Sequence, residues 1–178
     1  MVNNLIKSKR TDLVIEAFSK AIRSNHMLRL FVVGDGPEMT TLKWKVKRLS
    51  IENHVFFRGR LSQTKVVAEL EKAQIYINLS EKPGERLPNA VKEAMACGCV
   101  CIVNKTPGIE ELVQDRRGGF VVASHDLEKM SDLIRVYASI PPLSPVALNA
   151  REKIFREFDV TDKARQYLNA WTQVSKLG

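Results

Sequence analysis

The sequence predicts an α/β fold, a doubly wound parallel sheet with a helical C-terminal extension, and three features carry that prediction. Short runs at 28–33, 55–57, 75–79 and 100–103 are continuously apolar rather than alternating, as strands buried on both faces are. Stretches of helical periodicity separate them, so each crossover is a helix and neighbouring strands run parallel. Each run also ends in a loop rich in Gly, Pro or small polar residues, at 34–37, 58–61, 80–89 and 104–108, the composition of backbone that approaches a ligand.

The elements follow in order. Apolar residues at 13, 14, 17, 18, 21 and 22 form a helical stripe over 12–22. The strand 28–33 meets Gly34-Asp35-Gly36-Pro37, and residues 39–49 form a basic helix. The strand 55–57 stops at Gly59 and a short helix covers 63–70. Strand 75–79, helix 87–97 and strand 100–103 come next, then one or two helical turns at 109–113 and an edge strand at 120–122. A helix over 127–137 ends in 139–145, where three prolines break the chain. Two helices, 146–158 and 161–174, close it. Residues 1–140 are therefore expected to form the α/β domain and 141–178 its helical extension.

Composition narrows the class. The 178 residues are 44% apolar and 27% charged, enough for a domain with a real core. No apolar run approaches the ~18–20 residues that cross a bilayer. Cys97, Cys99 and Cys101 stand two apart, unsuited to a disulfide framework and one short of a four-cysteine zinc site. Cys99 and Cys101 read as small core residues on one strand face, in a reducing, cytoplasmic compartment. The net charge of +8 fits nucleic acid, an anionic membrane surface or phosphate-bearing ligands. Neither an aromatic platform nor a recognition helix accompanies it, which argues against nucleic acid. A solvated basic face and peripheral contact with the inner face of a membrane stay open.

In sheets of this kind ligands bind beyond the carboxyl ends of the strands. The most informative loop there runs through residues 85–98, Glu-Arg-Leu-Pro-Asn-Ala-Val-Lys-Glu-Ala-Met-Ala-Cys-Gly. Pro88 suits the first turn of a helix. The amides of Asn89 and its neighbours then point free at the positive end of that helix, an anion site. Glu85 at its mouth and Glu93 one turn in are placed to accept hydroxyls from two parts of a ligand. Acids near a helix start are also favoured by the helix dipole, by ~0.3–1 kcal/mol, without any ligand. Gly34-x-Gly36 lacks the third glycine of a dinucleotide fingerprint, and no following strand ends in an acid, so a nicotinamide site is excluded. A Walker lysine is absent as well.

These residues resemble the family-4, or group 1, retaining glycosyltransferases of the GT-B fold. The Glu-x7-Glu spacing of Glu85 and Glu93 within ERLPNAVKEAMACG is the most specific element. FVVGDGPE at 31–38, VFFRG at 55–59, KSKRTDLVIEAF at 7–18 and TPGIEELV at 106–113 support it in the same order. The resemblance covers about residues 2–168 and implies the Rossmann-like, donor-binding C-terminal domain of such an enzyme. It further implies that Glu93 takes the ribose hydroxyls and Glu85 those of the donor sugar. Pro88, Asn89 and Ala90 would hold the distal phosphate at the helix start. Lys9, with Arg10, would neutralise the diphosphate leaving group, Arg58 would lie where the chain wraps the base, and Gly34 and Gly36 would keep the cleft floor open. The implied reaction moves a hexose from a nucleotide-diphosphate sugar to a glycan or lipid-linked acceptor with retention, with no cofactor and no metal.

The sequence departs from the family at three places. Asn3 and Asn4 replace a usual Gly-Arg, whose arginine also binds diphosphate. Arg86 and Leu87 replace a commoner Gly-Phe, which alters the sugar pocket and lets Arg86 meet a charged group. The family's N-terminal acceptor domain is not within these residues and is expected as a partner, without which the chain transfers nothing. Helix 161–174 would cross to it, with Tyr167, Leu168 and Trp171 partly exposed or packed on the domain's own surface. A non-catalytic nucleotide-sugar binding module is the competing reading. A GT-B epimerase or phosphorylase fits less well, because the pyridoxal-lysine context is missing here and epimerases lack the PNAVKEAMA form.

Overall fold

The fold comes from a computed structural model that describes residues 1–82, 84–159, 164, 165 and 168. In chain order it has α1 (Thr11–Ala21), β1 (Leu30–Val33), α2 (Met39–Arg48), β2 (Val55–Gly59), α3 (Gln63–Leu70) and β3 (Ile75–Asn78). These are followed by α4 (Asn89–Ala96), β4 (Val100–Asn104), α5 (Ile109–Leu112), β5 (Phe120–Val122), α6 (Leu127–Ala138) and α7 (Pro145–Glu157). The alternation predicted from periodicity is present throughout. Ala164, Arg165 and Leu168 are helical; the remainder of the helix expected over 161–174, with Tyr167 and Trp171, lies outside the described residues.

All strand pairs are parallel, β1 with β2, β3 with β4 and β4 with β5. The two groups are not hydrogen-bonded to each other. Residues 1–3 lie along β1: Met1 N donates to Phe31 O, Val33 N to Met1 O and Asn3 N to Val33 O. The Tyr76 hydroxyl of β3 donates to Val2 O at 3.1 Å, a side-chain link from that segment to the other sheet.

Strand side chains alternate between two apolar layers, as a pleat requires. Ile77, Ile102 and Val122 face a core made by α1, α2 and α6, with Val14, Phe18, Leu42 and Met130. Tyr76, Cys101 and Val103 face the opposite core, made by α3, α4, α5 and α7, with Val91, Met95, Leu112 and Ile154. Helices therefore cover both faces, and the doubly wound α/β class holds. Cys99 and Cys101 are fully buried in the second core as small residues. Burial pushes the Cys99 thiol up to about 12 and that of Cys101 well above its ordinary value, so both are inert.

Local chemistry sets the helix ends. The Asp126 carboxylate caps α6 by accepting from Lys129 N, and Ser144 Oγ caps α7 by accepting from Ala147 N ahead of Pro145. Helix α4 starts at Asn89, two residues later than the apolar pattern suggested. Pro88 stands at its N-cap, not inside its first turn, with an extended ψ of 126°. It stops at Gly98, whose φ of 80° no side-chain-bearing residue adopts easily, with Cys99 N returning to Ala94 O.

Candidate active site

The carboxyl ends of β1, β3 and β4 bring the candidate residues together. A 3-10 turn, Lys7–Lys9, ends at Arg10 in the left-handed region at φ 44° and leads into α1. Lys9 is buried, 8% exposed, unusual for a lysine. Its ammonium donates to both carboxylate oxygens of Glu85 at 2.6 Å and to Ser80 Oγ at 3.3 Å. Ser80 is fixed in turn by Asn104, whose Oδ1 accepts from Ser80 N at 2.7 Å and whose Nδ2 donates to Ser80 O at 3.0 Å. Glu81 N donates to Ser8 O at 2.7 Å and ties the loop after β3 to the lysine segment. Burial alone would raise the Glu85 carboxyl. Hydrogen bonds from Lys9 and Ser80, and the charges of Lys9 and Lys82, outweigh it and hold the group below its ordinary value.

Four residues after Glu85 comes the start of α4. No side chain caps it, and the N–H groups of Asn89 and Ala90 have no hydrogen-bond partner among the described residues. Free amides at the positive end of a helix bind anions. Two clefts meet here. One, of about 640 Å³, is lined by Glu85, Arg86, Pro88, Asn89 and Glu111. The other, of about 480 Å³, is lined by Ser80, Lys82, Glu85, Asn104, Lys105 and Ser124. Arg86 borders both, 3.4 Å from Glu111 Oε1. It packs over Gly108, where an added Cβ would come within 3.0 Å of its Nε.

The remaining predicted residues line neither cleft. Glu93 is half-buried one turn into α4, and its side chain has no ion pair or hydrogen bond among the described residues. Arg10 turns away, its guanidinium 3.0 Å from Glu81 and 3.4 Å from Asp12. Arg58 lies over the Phe31 ring at 4.9 Å and 3.8 Å from Glu69, apart from the Lys9–Glu85 pair. Gly34 and Gly36, expected along the cleft floor, both lie in close contact with backbone. A Cβ on Gly34 would sit 1.8 Å from Asn3 O, and one on Gly36 2.5 Å from Leu5 O. The two glycines let the chain's own segment 3–5 pass against the loop. Asn4 is exposed, and both polar atoms of the Asn3 side chain are buried with no hydrogen-bond partner among the described residues.

Sequence reasoning named the loops holding Ser80 and Asn104 but not these two residues. Their only signal was a polar residue at the end of β4, Asn104, and another two residues beyond β3, Ser80. Among the described residues no group of three or more His, Cys, Asp or Glu side chains converges. What the arrangement offers is a buried cation paired with a charged carboxylate, and a free helix start that borders the same cleft as that carboxylate. That set stabilises an anion while accepting hydroxyl hydrogen bonds.

Residues 1–152 match the family described as glycosyl transferases group 1. The chain belongs to that family. Among group 1 relatives, it is 32% identical over 167 residues to the N-acetyl-alpha-D-glucosaminyl L-malate synthase of Bacillus anthracis. The alignment covers 93% of this chain and 42% of that protein. It is 26% identical to the putative colanic acid biosynthesis glycosyltransferase WcaL of Escherichia coli, over 89% of this chain and 40% of that one. The chain thus spans about two-fifths of the length of these relatives. Solved structures share its fold. HepE of Anabaena, solved with UDP, superposes with a TM-score of 0.83 at 22% identity, over 97% of this chain and 47% of that one. The C-terminal domain of the group 1 protein LpcC of Francisella tularensis gives 0.78 at 22% identity, over 88% and 83%.

Proposed function

We propose that this chain is the donor-binding part of a retaining hexosyltransferase that uses a nucleotide-diphosphate sugar and delivers the sugar to a glycan or lipid-linked acceptor. The single observation carrying this reading is the ion pair between buried Lys9 and Glu85, four residues before the uncapped start of α4. In it, Lys9 and the amides of Asn89 and Ala90 receive the diphosphate, where negative charge grows as the sugar–phosphate bond breaks. Glu85, released from Lys9 by the incoming phosphate, accepts hydroxyls of the donor sugar, and Glu93 accepts those of the ribose. Neither metal nor cofactor is required, because Lys9 and the helix start supply the positive field. Several relatives act in polysaccharide or glycolipid synthesis by name, and HepE was solved with UDP, which supports a uridine donor. The nucleotide-sugar domain is placed in residues 1–140, followed by an extension that begins with α7, and an acceptor domain of the same cytoplasmic enzyme completes the site.

The competing reading, a nucleotide-sugar binding module without catalysis, rests on Asn4. It is exposed and uncharged where the family usually carries arginine. Calorimetric titration of the chain with UDP, GDP and ADP, with and without EDTA, tests the donor reading. Binding of one nucleotide, unchanged by EDTA and weakened about tenfold or more by Glu93→Ala, is the expected result. No heat from any of the three at millimolar concentration overturns it.

A further inference from the structure

We propose that the outward face of α2 is a docking surface for an anionic lipid bilayer, a role separate from the donor site. Leu42 and Val46 turn α2 into the core, which leaves Thr40, Thr41, Lys43, Trp44, Lys47 and Arg48 exposed on the other side. Trp44 is 68% exposed, a large apolar group with no packing partner in the core. Its neighbours one helical turn away are Thr40, Thr41, Lys47 and Arg48, none of them acidic. Residues 39–50 contain no Asp or Glu at all.

The cations of this face are also uncompensated. Lys45 turns toward α1 and pairs with Glu16. Lys43, Lys47 and Arg48 form no ion pair among the described residues, and Lys47 lies over the Trp44 ring at 5.9 Å. Lys7 and Arg10 line the same groove as Trp44, Lys47 and Arg48. Of the acids there, Asp12 and Glu81 are paired with Arg10, and Glu38 alone stands against Lys7, Lys47 and Arg48.

An indole ringed by long, flexible cations matches the chemistry of a membrane–water interface. The ring settles at headgroup depth while the lysines and arginine reach anionic phosphates. A nucleic-acid strand needs successive aromatic faces on which bases stack, and this face presents one. Each cation near an anionic bilayer contributes about fivefold to the partition coefficient. Trp44 adds the second, apolar element that stable peripheral binding needs.

The test is sedimentation of the whole chain with vesicles of phosphatidylcholine alone or mixed with phosphatidylglycerol, in a Trp171→Phe background so that Trp44 is the sole tryptophan. Expected is pelleting with the anionic vesicles only, reversed by salt, with a blue shift of Trp44 emission on binding. The exposed triple change Lys43→Ser, Lys47→Ser, Arg48→Ser should lower the partition coefficient on the order of a hundredfold. Nucleotide binding, read in parallel, should not move. Trp44→Ala should weaken pelleting while the circular dichroism of the fold is retained. Equal pelleting with neutral vesicles, an undiminished triple variant, or binding to both vesicles and duplex DNA with Trp44 emission unmoved would each overturn the proposal.

Discussion

Lys9 and Glu85 show how one pair of residues sets both stability and ligand affinity. A lysine so deeply buried persists only if its charge is met, and Glu85 meets it with both oxygens at 2.6 Å. Lys9→Ala removes the cation proposed for the diphosphate and leaves Glu85 unpaired. Nucleotide diphosphate affinity should fall by roughly 10- to 100-fold, the worth of a charge-assisted hydrogen bond, measured by calorimetry. Lys9→Arg should recover part of it. The depressed carboxyl of Glu85 gives a pH signature of fixed sign. Because its folded value lies below its ordinary one, the pair stabilises the fold above the ordinary value, and that contribution disappears as pH falls through the depressed one. Denaturation of wild type against Glu85→Gln should show a stability difference at neutral pH that closes on the acid side. A constant difference down to the lowest pH would remove the pair from the account.

At the scale of elements, the loop after β1 and the start of α4 separate what holds the fold from what serves a ligand. Gly34 has φ 129° and lies so close to segment 3–5 that a methyl group would overlap Asn3 O. Gly34→Ala should therefore cost more than about 2 kcal/mol of stability, read as a fall in denaturation midpoint. A neutral result would mean the segment yields easily. Helices α6 and α7 each carry a side-chain cap, whereas α1 to α5 have none. Among the uncapped starts, that of α4 borders the cleft lined by Glu85 and Asn89. Ser144→Ala should cost about 1 kcal/mol, and it should leave nucleotide binding as it was.

For the whole molecule, the two groups of strands are joined by residues 1–3, two shared apolar layers and the buried Tyr76 hydroxyl. Tyr76→Phe leaves Val2 O without its donor and should lower stability by about 1–3 kcal/mol, with an unchanged fold by circular dichroism. A larger loss would indicate that the link orders segment 1–5, and with it the turn bearing Lys9.

How much of this was legible in advance differs by residue. The apolar runs and the helical stripes determined the α/β class, the order of elements and the parallel sheet, because burial on two faces writes itself into local composition. Glu85, Glu93 and Asn89 stood out for the same reason, lying close together at one strand-to-helix turn. The spatial pairing of Lys9 with Glu85 crosses 76 positions, and no local pattern encodes it. The same holds for the clamp between Ser80 and Asn104, for Arg10 turning to Glu81, and for the contact that explains Gly34. Sequence determined which residues are able to serve such a site; only the tertiary structure decided which of them meet, because long-range contact depends on how strands stack, not on what neighbours them in the chain.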